Sequence, residues 1–239
     1  MNVLNRPTLV MAQDGPGERG MSWLEAVQAG GVVGYIILAL SVFALALVVM
    51  HFIQIRRRAL LPPQQLEAIE DMLSRGDIAG AGSYCLDPAN DSYLTRIFGA
   101  GLLRFQKSAF GVFEIKNAIE EAGEDQTARL YRSTDALGVI GSIAPLLGLL
   151  GTVLGMVGAF ESLSRSANNN EELASNISLA LITTLMGLVL AIPTVALFTF
   201  FRNRIDSFAS EASMEIERLA LHLESGAAPP TRAAAPAAR

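Results

Sequence analysis

Thr152, Thr183, Thr184 and Thr194 interrupt two long apolar stretches, 136–160 and 177–201, that contain no ionisable residue. A threonine hydroxyl donates one hydrogen bond and accepts through its lone pairs. Two uses are therefore open to it in an apolar helix: bonding its own backbone, or steadying a polar group brought against it. At helical spacing Ala180, Thr184, Gly187 and Ala191 form a narrow, smooth face that bears one hydroxyl. Together with Thr152 this gives two polar points in an otherwise apolar lining. No nucleotide-binding loop, metal-ligand cluster or nucleophile–base pair occurs, so an enzyme is not expected, nor a cofactor or a metal. No basic run of the kind that binds nucleic acid is present either.

The elements that hold these threonines must cross a membrane. A hydrocarbon core of about 30 Å takes about 20 helical residues, and both stretches meet that length. A third stretch, 31–55, ends against Arg56, Arg57 and Arg58. Gly148, Gly151 and Gly155 strip side chains from the second span, with Gly151 and Gly155 forming a small-xxx-small pair, so another helix is expected to approach closely there. Gly187 does the same in the third span. Pro145 and Pro193 deprive the carbonyls of Gly141 and Val189 of their usual donors. Both prolines are therefore expected to face protein or a cavity rather than lipid.

The chain is thus read as an all-α membrane protein, three transmembrane helices with long cytoplasmic helical extensions. Its expected organisation is an outer N-terminal segment (1–30), the first span (31–55), a cytoplasmic helical region (56–135), the second span (136–160), an outer loop (161–176), the third span (177–201), a cytoplasmic helix (202–225) and a disordered tail (226–239). The formal net charge of −5 says little; the placement of arginines says more. Arg56 to Arg58, Arg129, Arg132, Arg202 and Arg204 flank one set of span ends, while 161–176 holds Arg165 against Glu161, Glu171 and Glu172. The positive-inside rule then puts the N-terminus outside and the C-terminus in the cytoplasm. Residues 22–28, with Trp23, Leu24 and Val27 on one face, read equally as an interfacial helix and as a lead-in to the first span. The run ending in Met11, Ala12 and Gln13 reads as a weak export signal or as nothing.

Within 56–135, Pro62 and Pro63 are expected to end the first-span helix and open the next, whose stripe Leu66, Ile69 and Leu73 is closed by Gly76. Leu94, Ile97, Phe98, Gly101, Leu102 and Phe105 keep helical spacing, and a further helix from Val112 runs without a proline into the second span. The third span likewise continues as one apolar face through Ile205, Phe208, Ala212, Ile216 and Leu219. Cys85, the single cysteine, reads as a small buried hydrophobe. His51 reads as a surface or interfacial histidine, and Glu161 and Glu172 as solvated span ends.

The segment Ala144-Pro-Leu-Leu-Gly-Leu-Leu-Gly-Thr-Val-Leu-Gly-Met156 and the later Thr183-Thr-Leu-Met-Gly-Leu-Val-Leu-Ala-Ile-Pro193 resemble the signature segments of the MotA/TolQ/ExbB proton-channel family, with the element order of the ExbB/TolQ branch. The resemblance covers roughly residues 20–224. It implies that Thr152 and Thr184, with Thr183 beside them, belong to a pore or proton pathway, and that Gly148, Gly151, Gly155, Gly187, Pro145 and Pro193 serve helix packing. It further implies a homo-oligomer, a pentamer, in a bacterial inner membrane, and a single-span ExbD/TolR-like partner whose Asp supplies the acid that these spans lack. A TonB/TolA-like protein is a further implied partner, and membrane lipids surround the ring. The implied function is to use proton-motive force for an envelope process such as outer-membrane transport; the alternative is a non-conducting scaffold for partner helices. Many ExbB-type proteins carry a glutamate five residues before the third-span threonine, where this chain has Leu179.

Overall fold

The computed structural model describes residues 27, 28, 30–107, 112–165 and 170–226. Three of its helices are long and apolar enough to cross a membrane, and no strand occurs among the described residues. The protein is an all-α membrane protein with three spans, two of which continue as long helical extensions.

Helix α1, Gly31–Gln54, is about 36 Å long at 1.5 Å per residue. Val33, Gly34, Ile37 and Ala44 are buried on one side, and Val32, Tyr35, Val42, Phe43 and Leu45 are exposed on the rest. An apolar exterior of this kind fits lipid, where no polar face is needed. The helix stops at Gln54, before the proline pair, because Arg56 turns extended (φ −120°, ψ 145°). A single helical turn, α2 (Arg57–Leu60), intervenes. Pro62 is then extended, and Pro63 takes the first position of α3, Pro63–Ser74, where the missing N–H costs nothing.

Gly76 closes α3 in the left-handed region, φ +76°. The Asp77 N–H donates to Met72 O and the Gly76 N–H to Leu73 O, both at 3.0 Å, which is the paired return of a Schellman cap. Asp77 immediately caps α4, Ile78–Leu86, by accepting from the Gly80 N–H at 2.8 Å. After a 3₁₀ turn at Pro88–Asn90, Ser92 and Thr95 exchange backbone-to-hydroxyl bonds at 2.9 and 3.2 Å and start α5, Tyr93–Lys107. Ile69, Leu94, Phe98 and Leu102 are fully buried, with Ile115, Ile216 and Leu219 closing over them. Cys85 joins this core, and burial pushes its thiol up to about 12, so it stays protonated and unreactive.

Two rods dominate the molecule. Helix α6, Val112–Arg165, runs through Pro145, and helix α7, Asn170–Gly226, runs through Pro193; at 1.5 Å per residue they measure about 81 and about 86 Å. They pack antiparallel against each other along much of their length. Most of the segment expected as an outer loop is helix: α6 reaches Arg165 and α7 begins at Asn170. Glu161 and Arg165 pair at 3.7 Å, and Glu171 and Glu172 occupy the first turn of α7, where acids favour the helix dipole. Exposed ion pairs tie the smaller helices to α7, Arg57 to Glu211 and Arg218 to Glu70. Trp23, Leu24, residues 1–13 and the tail from 227 lie outside the described residues.

Candidate functional site

The α6–α7 seam is built from glycines. A methyl group placed on Gly138 would meet the Phe198 ring at 3.1 Å, on Gly141 the Val195 side chain at 2.7 Å, on Gly148 the Thr184 Cα at 3.0 Å, on Gly151 the Thr183 Cβ at 2.5 Å, and on Gly155 the Ala180 Cβ at 2.7 Å. From α7, the same group on Gly187 would lie 2.5 Å from Ala144 O. Real carbon contacts optimise near 3.5–4.0 Å, about 1 Å wider. Side chains are therefore absent where the two backbones come closest, and the helix that exploits the small-xxx-small pair is α7 of the same chain.

This close approach brings the threonines together. The Thr152 and Thr184 hydroxyls are in direct hydrogen-bond contact across the seam. Each also reaches two backbone carbonyls: Gly148 O at 3.2 and 3.1 Å, and Ala180 O at 3.4 and 3.3 Å. Both carbonyls are exposed to the threonines because Gly148 and Ala180 carry almost no side chain. Two hydroxyls hold two protons between them. When one donates to the other, the second has a carbonyl to donate to, and lone pairs on both oxygens stay free to accept. Thr152 and Thr184 are half-buried, so the pair remains open on one side of the hairpin.

Thr183 behaves differently. It is fully buried and bonds back to Ala180 O at 2.9 Å and Leu179 O at 3.2 Å, with its side chain seated over Gly151. Its geometry is that of a packing residue. Thr194 also back-bonds, to Leu190 O at 2.7 Å. Pro145 is half-buried and Pro193 exposed on the single chain, so one chain alone does not enclose either ring.

Two polar features differ from what the sequence led us to expect, one unread and one misread. Ser162 is buried; it donates to Gly158 O at 3.0 Å and accepts from the Asn176 amide at 3.1 Å, which makes a second cross-link of α6 to α7 nearer their joined ends. Its only trace in the sequence is a small residue and an amide flanking the spans. His51 is the correction: expected at a surface or interface, it is fully buried, because Phe201 and the backbone at Ser133 close over it. A groove of about 790 Å³ between the extensions of α5, α6 and α7, lined among others by Tyr93, Thr127, Tyr131 and Ile216, contains none of the span threonines. Among the described residues no cluster of side chains is arranged to hold a metal.

Fold and site define a multi-span, all-α membrane protein organised round a tightly packed hairpin with a hydroxyl pair in its seam. The sequence pattern of the MotA/TolQ/ExbB proton channel family matches residues 89–214, more than half of the chain. The chain belongs to that family, whose members are channel and transport proteins rather than a known class of enzymes. An ExbB-like protein of Synechocystis sp. is 33% identical over 73% of this chain and 82% of its own length. An ExbB homologue of Methanothermobacter thermautotrophicus is 29% identical over 77% of this chain, and the biopolymer transport protein ExbB of Salmonella typhimurium is 31% identical over 57% of it. The matches span 64% and 62% of those two relatives. A chain in the solved structure of C. jejuni MotAB shares the fold, with a TM-score of 0.52 and 16% identity over 84% of this chain and 79% of that one.

Proposed function

We propose that this protein is an ExbB/TolQ-like subunit that forms a homopentameric ring in a bacterial inner membrane and converts proton-motive force into movement of a single-span, Asp-bearing ExbD/TolR-like partner. The observation that carries this reading is the Thr152–Thr184 hydroxyl pair, set in spans without an ionisable residue. A carboxylate in the middle of a bilayer costs about 2.5–3.5 kcal/mol on insertion scales. When protonated, the partner's acid can donate to a free lone pair of either threonine and leave the pair intact. When ionised it needs a donor, and a hydroxyl must turn away from Gly148 O or Ala180 O to supply one. The two protonation states thus favour different arrangements of the same site. A potential of 100 mV supplies about 2.3 kcal/mol per charge, comparable with the difference of one hydrogen bond to a charged group.

In this reading the C-terminus and the helices between the first two spans are cytoplasmic, the chain has no catalytic chemistry of its own, and the work done is an envelope process such as outer-membrane transport, with a TonB/TolA-like protein receiving the motion. Leu179, half-buried at the position where many ExbB-type proteins carry a glutamate, supports a second reading, a scaffold that gathers partner helices without conducting. The test is Thr152→Val with Thr184→Val, which keeps volume and removes both hydroxyls. Ring size should be unchanged, proton flux in proteoliposomes holding the co-purified partner should be lost, and Ser at both positions should restore it. Full flux in the Val double variant refutes the pore assignment; no flux in the wild type favours the scaffold.

A further inference from the structure

His51 lies in the last turn of α1, where the free carbonyls at a helix C-terminus favour a cation. Its ring is fully buried and lies against Phe201 of α7, the centroids 5.4 Å apart and the planes tilted by 38°. Each ring nitrogen faces a backbone carbonyl: Nδ1 lies 2.5 Å from Leu47 O in its own helix, and Nε2 lies 2.8 Å from Ser133 O in α6. A carbonyl oxygen can only accept. Neutral imidazole carries one N–H and one lone pair, whereas imidazolium carries two N–H groups. In the neutral ring, one nitrogen lone pair would point at an oxygen lone pair at hydrogen-bond distance, with no room for an intervening water. Turning the ring over would set C–H groups against the same oxygens.

We propose that His51 is a proton-binding site, and that its doubly protonated ring fastens the first span to the α6–α7 hairpin. The ligand is a single hydrogen ion. No carboxylate hydrogen-bonds or ion-pairs with His51 among the described residues; the charge is held by carbonyl dipoles. The charged residues closest to it along the packed elements are Arg56 after α1, Arg132 and Asp135 on α6, and Arg202 on α7. Arg202 is itself engaged over the rings of Tyr131 and Phe198, at 4.6 and 5.3 Å. Loss of the proton removes one of the two bonds: either the ring lets go of Ser133 and α1 loosens from α6, or it turns from Leu47. The inference goes beyond the hydroxyl-pair reading and does not depend on it.

The chain contains two histidines, His51 and His222, which makes the test direct. Nitrogen-15 spectra of the wild-type protein in lipid bilayers, with His222→Gln used for assignment alone, report whether each ring nitrogen bears a proton. With carbon-13 at the Leu47 and Ser133 carbonyls, they also report which nitrogen bonds which carbonyl. At about pH 6 both His51 nitrogens should be protonated and show both carbonyl cross-peaks. At about pH 8, conversion to one N–H with loss of one cross-peak, or persistence of both, supports the proposal. A His51 ring with one bare nitrogen at both values overturns it.

Discussion

Gly155→Ala adds one methyl group, and its effect can be worked out from the seam. The new carbon would sit 2.7 Å from Ala180 Cβ, 2.8 Å from Asn176 O and 3.1 Å from Ala180 Cα. Two of those three atoms belong to the α7 backbone and cannot rotate aside, so the rods must part by about 1 Å. Overpacking of this kind costs about 1–3 kcal/mol, and rigid neighbours put Gly155 near the upper end. Alanine returns up to about 1 kcal/mol through helix propensity. The net loss is about 2 kcal/mol, about thirtyfold in the folding equilibrium. Gly123, in the same helix, has nothing within 4 Å of an added carbon, so Gly123→Ala should keep the propensity gain alone. Melting of purified protein followed by circular dichroism should fall by about 4–8 °C for Gly155→Ala and rise by about 2–4 °C for Gly123→Ala. A Gly155→Ala protein that melts at or above the wild type refutes the close-contact argument, and with it the route by which Gly148, Ala180 and the two threonines are brought together.

Cys85, buried and held protonated, should resist alkylation by a thiol reagent at neutral pH in the folded protein and react at least tenfold faster once denaturant opens the helical core, as read by mass spectrometry. Arg96 grips Asp91 at both carboxylate oxygens and holds that carboxyl below the usual carboxylate range. Its stabilisation is therefore present above the unfolded value of about 3.9 and fades as pH falls through the lower folded value. The pair is about half exposed, so Asp91→Asn should cost at most about 1 kcal/mol at neutral pH and nothing in strong acid, measured as melting temperature against pH. For topology, cysteines placed at the exposed Ser164 and Ser210 of a Cys85→Ala chain should divide in intact spheroplasts, with position 164 labelled by an impermeant reagent and 210 protected. The reverse pattern refutes the arginine argument.

Length, apolarity and periodicity made the three spans legible, along with the Leu66–Ile69–Leu73 stripe and its glycine stop, since each is set by local preferences. The motif threonines were legible as candidates, but their contact was not: a small-xxx-small pair predicts close approach without saying which helix approaches. That α7 of the same chain fills the role depends on the antiparallel register, which sets Gly151 over Thr183 and Gly155 over Ala180. His51 was misread for a related reason. A histidine near a span end ordinarily reaches water, and only tertiary packing brings Phe201 and the Ser133 carbonyl over the ring. The short connection between α6 and α7 was hidden by polar residues that read as loop, although acids in a helix's first turn are also helix-start signals.

Neither proline breaks its rod, so the helices that carry Thr152 and Thr184 are continuous with those that line the groove beyond the spans. A rod that pivoted at the glycine seam would act as a lever. From residue 135 back to Val112, α6 extends about 36 Å beyond its span. A tilt of about 5° at the seam would sweep that end through about 3 Å, more than the separation that makes or breaks a hydrogen bond. A change at two hydroxyls, too small to alter the shape of the spans, would then arrive as a displacement of about 2 Å at Lys116 and Ile119, which line the end of the groove nearest Val112.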